Sequence, residues 1–373
     1  MKGKVLVTGG GGFIGSFLCE QLLQKGYDVR AFDNLDPQVH PARRRPRYLT
    51  RECEFVQGDV RDPERLGRAL SRVHAVVHLA ARVGVGQSQY EIRSYTDVNI
   101  GGTANLLDLV ANRHRARIRK LVVASSMSIY GEGAYECPSC GPRLRAERTG
   151  EQLKSRKWEP LCTDCTRPLV ARPTQENHPL RGDSIYAITK RVQEEMVISV
   201  GRTYGIPSAA MRFFNVYGPR QSLSNPYTGV LSLFLSRTKN RRPPIIYEDG
   251  LQTRDFISVH DVARACVALI ESGEAVRGVF NLGSGRGRAI RDIALKLIRE
   301  THSGVKPRIT ERYRQGDIRH CTADISRIRK ALGFEPLVSF EDGIRELLDW
   351  AREEKARDYS HRAQRELLSR GLV

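Results

Sequence analysis

The stretch KVLVTGGGGFIGS, Lys4 to Ser16, decides the fold. A short apolar run ends in a string of glycines, and behind them Phe13 to Gln24 carries apolar residues at helical spacing. Strand, glycine turn and helix in immediate succession form the context of a dinucleotide-binding turn. Gly9 permits the tight turn, Gly12 lets the backbone approach a pyrophosphate, and Gly15 allows close packing of helix on sheet. Phe13 and Ile14 open the helix, whose unsatisfied N–H groups and positive dipole end face the phosphates. The next strand, Asp28 to Phe32, is closed by Asp33. A carboxylate there accepts hydrogen bonds from the adenosine ribose hydroxyls and repels a 2′-phosphate, which predicts NAD. Arg43 to Arg45 leave NADP open.

Further along, strand-like and helix-like segments alternate. Glu54 to Gln57, Ala75 to Ala80 and Lys120 to Ser125 read as strands, the last two as continuous apolar runs suited to a sheet covered on both faces. Ser208 to Asn215 and Val279 to Leu282 read as later strands, and Ile290 to Glu300 and Phe340 to Glu353 as amphipathic helices. The fold class is therefore α/β: a Rossmann-type, doubly wound parallel sheet with a smaller α/β substrate domain. At 373 residues the chain suits two domains or one large α/β enzyme. Residues 1–136 and 174–215, with interleaved strands near 254–282, are assigned to the dinucleotide domain. Residues 137–173 are assigned to an insertion, and 216–253 with 283–373 to the substrate domain.

With 40% hydrophobic residues the chain is not a disordered one. It has no apolar run of membrane-spanning length and no signal pattern before the first strand, so a soluble cytoplasmic protein without a membrane partner is expected. The net charge of +19 comes mostly from 49 arginines spread along the chain. The basic stretches 43–47 and 113–120 lack the interleaved aromatics of a base-stacking platform, and no nucleic-acid partner is expected.

A second constellation is Tyr186-Ala-Ile-Thr-Lys190, preceded by Ser125 and Ser126 at the end of a strand. At positions i and i+4 of one helix, Tyr186 and Lys190 share a face. A free phenol is too weak an acid to serve as base near neutrality, and an adjacent ammonium favours its ionised form. Ser126 would hydrogen-bond the same substrate hydroxyl.

The hydrophilic, turn-rich segment that follows Glu136 holds two close cysteine pairs, Cys137/Cys140 and Cys162/Cys165, 21 residues apart. Two such turns supply four thiolates to a tetrahedral zinc, and four protein ligands leave no open position, so the metal would be structural. The insertion is thus a zinc ribbon, expected to cover the active site because its roots lie between Ser126 and Tyr186. Cys19, Cys53, Cys266 and Cys321 stand alone and read as ordinary thiols, and His78 as a core histidine.

The motifs TGGGGFIGS, GDVRD (58–62), HLAA (78–81), Asn99 in VNIGGTANLL, SSMSIYG, the Tyr186/Lys190 pair, MRFFNVYGPRQ, QTRDFISVHDVARA and RQGDIRH run almost end to end. By them the chain resembles the extended short-chain dehydrogenases/reductases, in the nucleotide-sugar epimerase/dehydratase branch. The resemblance implies that Asp59 and Val60 flank the adenine. Asn34, Leu79, Ala80, Ala81, Asn99, Ser125 and Phe213 would line the rest of the NAD site, with Tyr186 and Lys190 beside it. It further implies that Asn215, Arg254 and Arg314 hold a dTDP- or UDP-hexose, the arginines on its pyrophosphate, and that the chain forms a homodimer through the helix of Tyr186 and the one after Asn99.

Related dehydratases carry an Asp-Glu pair after the position of Ser126, where this chain has Met127 and Ser128. Neither can shuttle a proton from C5 to a C6 leaving group, which counts against dehydration and C3/C5 epimerisation and leaves inversion at C4 of the sugar, with a 4-ketoreductase as rival. The segment AFDNLDPQVHP (31–41) together with a Cys-rich insertion resembles the dTDP-L-rhamnose 4-epimerases more than the UDP-glucose/UDP-galactose or UDP-glucuronate enzymes.

Overall fold

The computed structural model describes residues 2–372 except 144–145, 228, 274–275 and 315. Its main sheet has seven parallel strands. In spatial order they are Gly278–Leu282, Ser208–Phe213, Lys120–Ser126, Val73–His78, Lys4–Thr8, Asp28–Asp33 and Glu54–Gln57. The strand order reverses between Lys4–Thr8 and Val73–His78, and a ligand binds outside the carboxyl ends of strands at such a switch point.

Apolar residues on both sides of each central strand explain why the sheet is covered twice. Successive side chains of a strand point to opposite faces. Val5, Val7, Val77 and Val122 pack with Phe17, Leu18 and Leu22 of the Phe13–Gln24 helix and with Val262 and Cys266 of the Val259–Glu271 helix. Leu6, Val76, Leu121 and Val123 face the other way, onto Leu106, Leu107 and Val197. Cys19, Cys53, Cys266 and Cys321 are buried thiols.

A second sheet runs Asn215–Tyr217, Thr253–Ser258, His320–Ala323, Val170–Thr174, Ala134–Cys137 and Gly141–Arg143, with Gly287–Ala289 antiparallel on Thr253–Ser258. It changes three readings. The expected strand 208–215 is two strands: Phe214 breaks the run by donating to the Leu282 carbonyl (3.0 Å), and the chain then crosses to the second sheet. Of the strands placed near 254–282 in the dinucleotide domain, only Gly278–Leu282 joins the main sheet, while Thr253–Ser258 is central to the second. The insertion 137–173, assigned as a unit of its own, is continuous with this sheet. Its flanking strands extend the substrate-side sheet through the parallel pairing of Val170–Thr174 with His320–Ala323, which satisfies backbone groups that an isolated hairpin would leave to water.

Candidate active site

The glycine turn follows the Lys4–Thr8 strand. Gly9 has φ +70°, and a Cβ there would come within 2.9 Å of the Ala80 nitrogen. A Cβ on Gly15 would stand 2.2 Å from the Gly9 carbonyl oxygen, so the helix approaches the turn only because both residues lack side chains. Gly12 opens the Phe13–Gln24 helix with no side-chain cap, leaving the first-turn N–H groups of Phe13, Ile14 and Gly15 available to an anion.

Asp33 closes its strand with both carboxylate oxygens engaged, accepting from Gly11 N (3.0 Å) and Leu35 N (2.8 Å). Burial pushes this carboxyl upward against those two bonds. The residue therefore shapes the turn. Asn34 donates to Asp59 (2.9 Å), and Asp59 also pairs with Arg61 (2.8 Å). Burial works against the Asp59 charge, but Arg61 and Asn34 hold the carboxyl down at about 2. Val60 is buried next to them. Leu79, Ala80 and Ala81 follow the Val73–His78 strand, and Ala80 N donates to the Thr8 hydroxyl (3.2 Å). Phe213 ends its strand in register with Ser126.

Ser126 closes the Lys120–Ser126 strand, and its oxygen receives Ser128 Oγ (2.9 Å) and Ser128 N (3.2 Å). Tyr186 lies in the first turn of the Ile185–Tyr204 helix, which Ser184 caps by accepting from Ala187 N (3.1 Å). Burial raises the Tyr186 phenol above its ordinary value, while a hydrogen bond with Ser126 pulls it back. Lys190, one turn later, is 3% exposed and donates to Gln193 (2.7 Å). Burial lowers its ammonium to about 7, with Glu194 opposing. Ser126 and Tyr186 are thus brought together at the carboxyl end of the sheet, with Lys190 one helical turn further on and its ammonium on Gln193.

Behind them lies a buried polar chain that sequence reasoning missed. Gln193 donates to Thr103 (2.7 Å); Thr103 contacts His78 Nε2 (2.9 Å); His78 Nδ1 contacts Thr8 (2.7 Å), the residue that starts the glycine turn. His78 is held neutral, its pKa lowered to about 3 by burial and by the Lys190 charge. It is the core histidine its sequence context suggests. Asn99 belongs to the same chain: its amide holds Arg82 N and O (2.7 and 3.1 Å) and the Thr189 hydroxyl (2.9 Å). The amide thereby ties the Arg82 backbone to the Tyr186 helix. The sequence signals for this chain are a polar residue inside an apolar strand, at His78, and the VNIGGTANLL motif, which carries Asn99 and Thr103.

Two polar atoms in the cleft are buried without a hydrogen-bond partner: Ser125 Oγ and Asn215 Oδ1. An orphaned buried polar atom costs about 1–3 kcal/mol. Their position at strand ends, with the open glycine turn, fits a polar ligand such as a dinucleotide lying against a second polar molecule. Arg254 and Arg314 lie on the substrate side and share one carboxylate, Asp317, at 3.6 and 2.8 Å. Arg314 also stacks on Tyr247.

The four insertion cysteines are brought together as well. Their Sγ atoms lie within 4.8 Å of one another, with Cys137 and Cys165 at 3.4 Å. Zinc–sulfur bonds of about 2.3 Å in a tetrahedron place sulfurs roughly 3.8 Å apart, so the donor set fits zinc. Burial raises the Cys162 thiol, but the N–H groups of Asp164 and Cys165 and the Arg143 guanidinium outweigh it and hold it at about 6.

Residues 5–156 match the NAD dependent epimerase/dehydratase family and residues 169–347 the GDP-mannose 4,6 dehydratase family. Among curated proteins the chain is 35% identical over 360 residues to dTDP-L-rhamnose 4-epimerase of Burkholderia thailandensis, covering 94% of this chain and 95% of that one. It is 31% identical to a putative UDP-glucose 4-epimerase of Methanocaldococcus jannaschii, over 93% of this chain and 98% of that one. Among solved structures, UDP-glucose 4-epimerase of Thermotoga maritima with UDP-glucose superposes with a TM-score of 0.76 at 28% identity, covering 94% of this chain and 99% of that one.

Proposed function

The chain belongs to the NAD-dependent epimerase/dehydratase family and is an NAD-dependent nucleotide-sugar 4-epimerase, and from that premise we propose that it inverts C4 of dTDP-L-rhamnose. The observation that carries the choice of substrate is the likeness to a dTDP-L-rhamnose 4-epimerase along almost the whole of both chains. UDP-glucose is the second reading, favoured by the match to the M. jannaschii protein and by the UDP-glucose complex from T. maritima.

In this reading the glycine turn, with Gly9, Gly12, Phe13, Ile14 and Gly15, holds the pyrophosphate of NAD, and Asp33 and Asn34 its adenosine ribose. Asp59 and Val60 flank the adenine, and Leu79, Ala80, Ala81, Ser125 and Phe213 line the remainder. When bound, NAD supplies a hydride acceptor for C4, returns the hydride, and offers a positive ring whose charge favours the Tyr186 phenolate. Tyr186 takes the proton of O4 and later gives it back, and Ser126 hydrogen-bonds the same oxygen. Lys190 stabilises the phenolate from the next helical turn. Ser128 orients the Ser126 hydroxyl, and neither it nor Met127 offers the carboxylic acid that loss of water would need. Asn215 contacts the sugar nucleotide, and Arg254 and Arg314 pair with its diphosphate, which guanidinium donors match in geometry.

The four-cysteine cluster binds one structural zinc. The enzyme is a homodimer, packed through the Ile185–Tyr204 helix and the Gly102–Leu109 helix. Light scattering of the purified enzyme tests the second statement: a monomer mass would remove it. Among the described residues no helix is long and apolar enough to cross a membrane.

The deciding experiment is NMR of the enzyme with dTDP-L-rhamnose in D2O, with no cofactor added. A C4-inverted product without solvent deuterium is expected, because the hydride returns to the carbon it left. Deuterium at C3 or C5 would mean carbon deprotonation and overturn the mechanism. Turnover of UDP-glucose alone would move the assignment to the second reading.

A further inference from the structure

The insertion is tied to the substrate side of the cleft through two arginines, Arg148 within it and Arg319 in the RQGDIRH motif. Arg319 is 1% exposed and meets Glu159 (2.9 Å), Glu248 (2.9 Å) and Asp249 (2.7 Å). Arg148, in the insertion, reaches Glu248 (2.6 Å), Glu132 (3.2 Å) and the backbone carbonyl of Asp317 (2.5 Å). Glu132 in turn accepts from Arg319 N (2.9 Å), and Glu159, three residues before Cys162, bonds His320 (2.9 Å). Glu248 is buried at φ +52°, a conformation a non-glycine residue holds only where its surroundings impose it. Two cations and four carboxylates thus lock the segment 317–320 and the turn at 248–249 to the insertion.

The locked segment contacts the two arginines assigned to the diphosphate. The Asp317 carboxylate pairs with Arg314, and the carbonyls of Ile318 (2.6 Å) and Arg319 (3.2 Å) accept from the Arg254 guanidinium. Between Arg148 and either guanidinium there is one residue, Asp317, or its immediate neighbours. Buried, mutually satisfied charges of this kind fix geometry more than they add stability.

We propose that Arg148 is a positioning residue for substrate binding: it fixes the 317–319 turn so that Arg254 and Arg314 meet the substrate diphosphate already oriented. The inference rests on the reading of Arg254 and Arg314 as the diphosphate grip. Preorganisation moves the ordering cost of the two guanidinium groups from the binding step to folding, so its loss is felt in affinity. The chemistry at Tyr186 is untouched.

The test is calorimetric titration of purified enzyme with dTDP alone, together with steady-state kinetics on the nucleotide sugar. In Arg148→Ala, dTDP affinity falls about tenfold and KM rises in step, with kcat within about twofold and NAD content unchanged. Arg148→Lys keeps the charge but cannot span Glu132, Glu248 and the Asp317 carbonyl at once, so its loss is intermediate. Glu159→Gln, on the far side of Arg319, gives a smaller loss in the same direction, and with Arg148→Lys it carries the test if Arg148→Ala fails to fold. A merely structural role would lower the melting temperature and leave the split between KM and kcat alone. Wild-type dTDP affinity in the folded variants overturns the proposal. Arg254→Ala and Arg314→Ala separate the two layers. If they bind dTDP like wild type, the diphosphate reading falls; if they lose it while Arg148→Ala does not, only the positioning role falls.

Discussion

The Lys190 ammonium donates to the amide oxygen of Gln193 at 2.7 Å, one turn further along the same helix, and both side chains are buried. Gln193 accepts from a cation whose pKa burial already lowers to about 7. An acceptor at this distance is expected to set how much ammonium Lys190 keeps. Gln193→Glu places a carboxylate there, raises the Lys190 pKa and moves the alkaline fall of kcat to higher pH. Gln193→Leu removes the acceptor, lowers the pKa and cuts kcat at pH 8 by about tenfold, within the range of general acid–base effects. A kcat profile from pH 6 to 10 distinguishes the two. Superimposable profiles for both variants and wild type would take Gln193 out of the catalytic arrangement.

The same depressed lysine makes stability depend on pH. An unfolded chain keeps the Lys190 proton up to its ordinary pKa of 10.5, whereas the folded, cofactor-stripped enzyme releases it above about 7. Unfolding takes up a proton between those values, so stability rises with pH across that window and is lost as pH falls back through it. One such group contributes up to about 1.4 kcal/mol per pH unit there. Lys190→Met lacks the slope. Urea unfolding of both proteins at pH 7, 8 and 9 measures it, and a constant difference between them would show that Lys190 is not depressed.

Tyr186→Phe keeps the ring, which packs edge-on against Tyr95 at 6.5 Å, and removes only the phenol. The expected fall in kcat is about 10²- to 10⁴-fold with unchanged NAD content and melting temperature. Ser126→Ala loses less, because a second hydroxyl, Ser128, lies 2.9 Å from the same position. Activity of Tyr186→Phe within a few-fold of wild type would require another base.

What the sequence makes legible follows the range of the physics behind it. The Phe13–Gln24, Ile290–Glu300 and Phe340–Glu353 helices begin and end where apolar periodicity places them, because periodicity is local. The glycine turn is local too, and its steric demands at Gly9 and Gly15 are those the spacing implies. The second sheet is not legible, since Ala134–Cys137, Val170–Thr174 and His320–Ala323 are short and meet only through non-local pairing, the last two across more than a hundred residues. Arg319 shows the same limit from the side of the site. The RQGDIRH motif contains it but gives it no partner, and three acidic side chains from two distant segments bury it.

The cysteine cluster gives the last prediction. The insertion core is small, built on Tyr135, Cys137, Ala146, Cys162 and Leu169, two of which are themselves cysteines of the cluster. So little apolar material does not order a segment of this size alone, and a metal supplies the missing free energy. Elemental analysis of enzyme prepared without chelator should find one zinc per chain, released when a mercurial blocks the thiols. Cys162→Ser should lose the metal and lower the melting temperature by several degrees. Glu159 precedes Cys162 by three residues and holds Arg319, so metal loss should also loosen the 317–320 segment. Its kinetic mark is then a rise in KM larger than any fall in kcat, with NAD retained. Zinc-free enzyme with wild-type KM and melting temperature would leave the four thiols without a structural task, and an equal loss of kcat and NAD would place the metal's influence at the glycine turn instead.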